Sequence, residues 1–261
     1  MKKYTISFLL TFVSIFVYSH DFEKNGIFYN FIPYTQSNVE VTFKGETVES
    51  FKNEYKGDIV IPSYVIYNGK TYTVKSVGKS AFEDCIHLNS IELSCNIVSV
   101  GESAFSGCTS LSIIKLPNDL SYIMDNAFSG CTNLQEINLP ENIKVIGNFA
   151  FSCCKSLKYI TLPKLLERLQ NSTFLGCVNL KGVIINEHIE KVCYGAFDGC
   201  WNLLVLVCLA NYPPECADLN LISKCRLIVP DESIVLYKRE KGWNKFNHYV
   251  PLSEFRSTID K

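Results

Sequence analysis

Residues 127–149 read AFSGCTNLQEINLPENIKVIGNF, and residues 150–172 read AFSCCKSLKYITLPKLLERLQNS. The two blocks are both 23 residues long and share an apolar skeleton position by position. Followed in both directions the register never slips: Phe82, Phe105, Phe128, Phe151, Phe174 and Phe197 are spaced 23 apart. Five of them follow an alanine (Ala81, Ala104, Ala127, Ala150, Ala196) and the sixth follows Thr173. Three positions after each stands Cys85, Cys108, Cys131, Cys154, Cys177 or Cys200, and three further on Leu88, Leu111, Leu134, Leu157, Leu180 or Leu203. Aliphatics recur at Ile91, Ile114, Ile137, Ile160, Val183 and Leu206, then two residues later at Leu93, Leu116, Leu139, Leu162 and Ile185, with Cys208 in the last unit. The alternation of this L-x-x-I-x-L stretch predicts a short strand with its apolar side inward. Pro117, Pro140 and Pro163 follow directly, remove a ladder donor and end the strand. The same prolines and the β-branched content exclude an amphipathic helix. One such unit cannot bury its apolar side alone, so neighbours must stack at strand spacing, about 4.8 Å. The predicted fold is a repeat solenoid, mainly β.

A period of 23 lies within the 20–29 residues of leucine-rich repeats. The unit A-F-x-x-C-x-x-L-x-x-I-x-L-P more specifically resembles the BspA-type leucine-rich repeat of bacterial and protist surface proteins, over about Val77 to Leu209. The flanks carry the resemblance further. Gly57-Asp58-Ile59-Val60-Ile61-Pro62 and Tyr67-Asn68-Gly69-Lys70-Thr71-Tyr72-Thr73-Val74 are similar to the segment preceding the repeats in Bacteroidetes members. Pro213-Pro214, Leu227-Ile228-Val229-Pro230, Tyr237 and Gly242-Trp243 with Phe246 are similar to their closing segment. The resemblance implies a surface protein that adheres to host matrix proteins or to other cells.

The ends differ from the middle. Lys2 and Lys3 precede the uncharged, mostly apolar stretch Tyr4–Tyr18, and Val17 and Ser19 put small residues at −3 and −1 of a cut before His20. Residues 1–19 read as a cleaved export signal; about 15 apolar residues are short for a membrane span. No later stretch reaches membrane length, so no span is expected after cleavage. Residues 20–79, rich in Phe, Tyr and Val with Asn68-Gly69 as a two-residue hairpin signal, read as a β-rich N-terminal cap. Residues 80–210 form the repeats and residues 211–261 a C-terminal cap, also expected to be β-rich. Caps are needed because a terminal coil otherwise exposes the core. Leu203–Leu209 is apolar on both sides and is expected to be covered by the C-terminal segment.

Chemistry-bearing motifs are missing. The sequence holds no nucleophile elbow, phosphate loop, H-E-x-x-H or calcium loop, and pairs such as Glu136 and Glu141 look like solvated surface charge. No enzyme activity, cofactor or metal is expected: the four histidines, His20, His87, His188 and His248, do not cluster with cysteine. Twelve cysteines in an exported chain suggest disulfides, yet six share one repeat position beside Phe and Leu and read as packed thiols. A bridge such as Cys216–Cys225 is compatible with the spacing. The net charge of −1, or −3 without residues 1–19, provides no basic field to recruit nucleic acid.

With the Leu and Ile positions inward, the strand's other side is open to solvent. The candidate partner-binding face is Glu92, Lys115, Gln135, Glu136, Asn138, Lys158, Tyr159 and Thr161. Mixed charge with one exposed aromatic suits a protein partner. The expected function is a secreted or cell-surface binding protein for host or neighbouring-cell proteins. The alternative is a carbohydrate-binding accessory protein, against which a single stacking platform, Tyr159, counts.

Overall fold

The computed structural model of the protein describes residues 20–44, 54–217, 219 and 224–259, with side chains to 255. The segment 1–19, read above as an export signal, lies outside the described residues.

The chain begins with β1 (Phe22–Lys24), β2 (Ile27–Phe31), β3 (Asn38–Thr42), β4 (Gly57–Val60), β5 (Tyr64–Tyr67) and β6 (Lys70–Val77). β1, β2 and β3 pair antiparallel in succession, and β6 joins β3 in parallel. β5 turns into β6 at Asn68-Gly69, whose φ values of 48° and 75° are both left-handed. That turn matches the twist of the strands it joins, and Asn-Gly tolerates both angles.

Each coil then contributes a strand from its Leu/Ile stretch and a two-residue strand beyond the proline turn. In order these are β7 (Leu88–Glu92) with β8 (Ser99–Val100), and β9 (Ile113–Lys115) with β10 (Tyr122–Ile123). The third coil has only β11 (Val145–Ile146). β12 (Tyr159–Thr161) with β13 (Arg168–Leu169), β14 (Gly182–Ile185) with β15 (Lys191–Val192), and β16 (Val205–Cys208) with β17 (Glu215–Cys216) complete the repeats. The short second strands were not foreseen from sequence. They are anchored by the unit's last aliphatic, Val100, Ile123, Ile146, Leu169 or Val192, each fully buried. The prolines close the turn between the two strands by accepting from the residue three ahead, as in Leu120 N–H to Pro117 O at 3.1 Å.

Two parallel sheets therefore line the solenoid, paired in a 23-residue register such as Ile91↔Ile114 and Ile160↔Val183↔Leu206. Both sheets break at the centre. Among the described residues, Gln135–Leu139 of the third coil joins no ladder, and β11 does not pair with β13. Glu136 stands where the flanking coils have Ile113 or Tyr159, and Asn138 where they have Lys115 or Thr161; Asn, and to a lesser degree Glu, are depleted in strands. One backbone bond, Lys158 N–H to Gln135 O at 3.2 Å, crosses the break on the first sheet. The turns stay laddered across it, with Phe128 N–H donating to Ala150 O (2.8 Å) and Gly130 N–H to Ser152 O (2.7 Å).

Those turns carry the core. The six phenylalanines stack as one column, ring centroids 5.0–5.9 Å apart and planes within 11°. Tyr55 closes its N-terminal end, 4.5 Å from Phe82. Beside it runs the cysteine column. Sγ of Cys108, Cys131, Cys154, Cys177 and Cys200 donates to the Phe carbonyl one coil back, at 3.0–3.2 Å. The same carbonyl accepts its own coil's cysteine N–H, as Phe82 O does from Cys85 at 3.1 Å. Each thiol thus ties two coils as well as filling space. Burial pushes these thiols well above the usual range, Cys200 to about 12. None of the twelve cysteines is in a disulfide, Cys216 and Cys225 included. Two residues after each Phe the backbone turns left-handed, which explains Gly107, Gly130, Gly176 and Gly199 with φ of 70–75°.

The C-terminal segment adds β18 (Arg226–Val229) and β19 (His248–Pro251) to the first sheet, with α1 (Ile234–Arg239) and α2 (Leu252–Ile259) around them. Its strands were expected; the two short helices were not. Tyr237 of α1 and Trp243 are fully buried in edge-to-face contact at 5.2 Å. The Tyr237 hydroxyl donates to Ala210 O (2.8 Å) and Trp243 Nε1 to Pro214 O (2.8 Å), which locks the cap to the last coil.

Candidate interaction face

The outward side of the first sheet is ordered in rows, because parallel pairing in a constant register places equivalent residues of successive coils side by side. One row runs Asp58, Ser90, Ile113 and, beyond the break, Tyr159, Gly182, Val205, Arg226, His248. A second runs Val60, Glu92, Lys115 and then Thr161, Ile184, Val207, Ile228, Val250.

All eight residues of the expected face are exposed, while their inward neighbours Ile91, Ile114, Ile137 and Ile160 are buried. They fall into two groups. Glu92 and Lys115 form an ion pair at 2.8 Å on the first two coils, so exposed that it adds little to stability. Gln135, Glu136, Asn138, Lys158, Tyr159 and Thr161 meet at the sheet break, where they line a cleft of about 450 Å³. Lys158 Nζ donates to Gln135 Oε1 across it at 3.4 Å. Glu141 stands at its edge, held by the Lys164 N–H at 2.8 Å. Tyr159 presents 63% of its surface to solvent.

Beyond Tyr159 the face changes character. A second groove of about 340 Å³ follows coils four to seven, lined by Tyr159, Gly182, Ile184, Leu204, Val205, Arg226 and Phe255 among others. The expected cover of Leu203–Leu209 is thus partial. Leu203, Leu206, Val207 and Cys208 are buried, with Phe255 of α2 beside Val207, whereas Leu204 is exposed. Arg226 and Phe255 were missed from sequence because they lie outside the repeats.

Nothing in the described residues gathers three or more His, Cys, Asp or Glu side chains as a metal site would. Other exposed aromatics, such as Tyr122 on the second sheet and Trp201 on the turns, lie away from this face. The arrangement suits recognition of a surface.

The model of the BspA-type leucine-rich repeat region matches residues 73–204 in six copies. Among solved structures the chain is similar to a leucine-rich repeat protein of T. pallidum, with 25% identity over 92% of this chain and 94% of that one and a TM-score of 0.62. It is also similar to a leucine-rich repeat protein from Bacteroides ovatus, with 30% identity, 82% of this chain and 60% of that one covered, and a TM-score of 0.58. No curated protein matches the chain.

Proposed function

Because the chain belongs to the BspA-type leucine-rich repeat family, we propose that it is an exported, non-enzymatic adhesion module that binds host or neighbouring-cell proteins through the outward face of its first sheet. The observation that carries this reading is the cleft at the sheet break. Six side chains of opposite charge, amide and aromatic character converge there, on a surface committed neither to core nor to caps. Repeat arrays use such extended regular faces for partners, and interface energy concentrates in a few aromatic or charged anchors. Tyr159 is the anchor, with Glu136 and Lys158 beside it. Export rests on the Lys2, Lys3 and Tyr4–Tyr18 pattern. Among the described residues no helix is long and apolar enough to cross a membrane.

The test is surface plasmon resonance of the purified protein against a panel of purified matrix proteins, with a glycan array alongside. A protein ligand should emerge, and Tyr159→Ala should weaken it by about 1–3 kcal/mol while leaving Tm unchanged. If combined alanine replacement of Glu136, Lys158 and Tyr159 leaves affinity intact, the site is not on this face.

A further inference from the structure

We propose that the C-terminal half of this face is a socket for an extended acidic segment of a protein partner, one carrying an apolar or aromatic side chain three residues from a carboxylate. This rests on the partner-binding reading above and narrows it to a ligand class.

Gly182 opens the groove. In the row Tyr159, Gly182, Val205, Arg226 it is the member without a side chain. A Cβ there would stand 3.1 Å from Tyr159 Cδ1, so any larger residue would press on the tyrosine ring and narrow the groove beside it. The result is a depression floored by Gly182 and Val183, with Tyr159 on one side and Val205 and Phe255 on the other. Ile184 and Leu204, 37% and 46% exposed, extend its apolar wall. An apolar side chain laid in this depression would remove that surface from water, which is the main source of affinity available here.

Charge selects among apolar partners. The ionic side chains lining the groove are Lys181 and Arg226, and no carboxylate lines it. Neither cation takes part in an ion pair among the described residues. The acids of this face lie on the other side of Tyr159: Glu136 in the cleft, Glu92 held by Lys115, and Asp58, which accepts from Ser90 Oγ at 2.6 Å. A basic segment would bring like charges together beside an apolar surface, which disfavours it as a partner. Two cations neutralise only two phosphates, so counterion release would contribute little to binding a nucleic acid here. An acidic, apolar peptide satisfies both the wall and the cations.

Strand spacing fixes where the acid must be. Arg226 lies two strands beyond Gly182, about 10 Å at the spacing of paired strands. An extended chain in the polyproline II conformation advances about 3.1 Å per residue and returns to the same face every three residues, so a side chain seated over Gly182 puts the residue three positions on beside Arg226. Lys181, one residue before Gly182 in the chain, flanks the same seat.

Fluorescence anisotropy with short labelled peptides tests this. The probe carries one Phe and, three residues later, one Asp in a Gly/Ser background. Its counterparts place Lys for Asp, Ser for Phe, or the Asp six residues away. The Phe/Asp probe should bind at least tenfold better than each counterpart, and more weakly in high salt. Arg226→Glu should invert the preference towards the Lys peptide, and Leu204→Ser should weaken both. Arg226 and Leu204 are exposed, and near-ultraviolet circular dichroism checks that both variants are folded. Equal binding of Asp and Lys peptides, or no inversion by Arg226→Glu, overturns the socket. If the matrix-protein binding above still depends on Tyr159 in that case, the face stands and only the ligand class falls. If neither depends on it, the reading of the face falls as well.

Discussion

Phe128→Ala should do more than destabilise the protein: it should split it. Phe128 is fully buried, its ring 5.3 Å from Phe105 and 5.4 Å from Phe151, nearly parallel to both. Removing the ring loses about 2 kcal/mol of burial. A void of roughly 80 Å³, if the coils do not close on it, adds about 2 kcal/mol at ~24 cal/mol per Å³. The total of about 4 kcal/mol is a large share of the 5–15 kcal/mol that a domain usually possesses. Position makes it worse. Between the third and fourth coils both sheets are interrupted, so the halves are held chiefly by the turn ladder and the stacked rings. In a linear array cooperativity passes only through nearest-neighbour interfaces. Weakening this one should let the halves unfold separately. Both tryptophans, Trp201 and Trp243, lie in the C-terminal half, so fluorescence reports that half while far-ultraviolet circular dichroism reports the whole chain. In urea the wild type should show coincident transitions and Phe128→Ala two separated ones. Phe197→Ala, at the end of the column, should shift stability without separating the probes. A loss below about 1.5 kcal/mol, or coincident transitions in Phe128→Ala, would show that the stacked rings do not hold the two halves together.

Two further outcomes are expected. The column thiols keep their protons in the folded state because burial penalises the thiolate, whereas the unfolded chain releases them near pH 9. The unfolded state then binds fewer protons, so stability is intact below that pH and falls above it, by about 1.4 kcal/mol per pH unit for each thiol. Urea titrations should show a steep collapse above pH 9, and Cys108, Cys131 and Cys154 should react with thiol reagents at neutral pH only in denaturant; a flat alkaline profile or rapid native labelling contradicts the buried column. Tyr29, fully buried, has a hydroxyl with no hydrogen-bond partner among the described residues, so Tyr29→Phe should be neutral or stabilise by up to about 1 kcal/mol, and a loss of more than that would show that the hydroxyl is paired.

The core of this protein was legible because the period of 23 is itself the physical constraint. Stacking identical coils requires equivalent residues to sit above one another, so Phe, Cys, Leu and Ile recur at fixed spacing, and exposure of the intervening residues follows from the pleat. The hydrogen bonds of the cysteine column were not legible, since a thiol that packs and a thiol that donates look alike in a string of letters. Nor was the sheet break, since Asn89, Ser90 and Glu92 of the first coil are as polar as Gln135, Glu136 and Asn138 and yet lie in a ladder. The C-terminal half of the face was hidden for a third reason. Arg226 pairs with Val205 and His248 with Arg226, at separations of 21 and 22 residues in place of 23. Backbone pairing continues across those changes of spacing, because a ladder needs only adjacent strands, but the letters no longer align. A periodic reading therefore stops at the sixth unit, although the surface does not. It centred the face on Tyr159 and looked back towards the charged coils, whereas the pairing registers carry the same row forward to the exposed cation at Arg226.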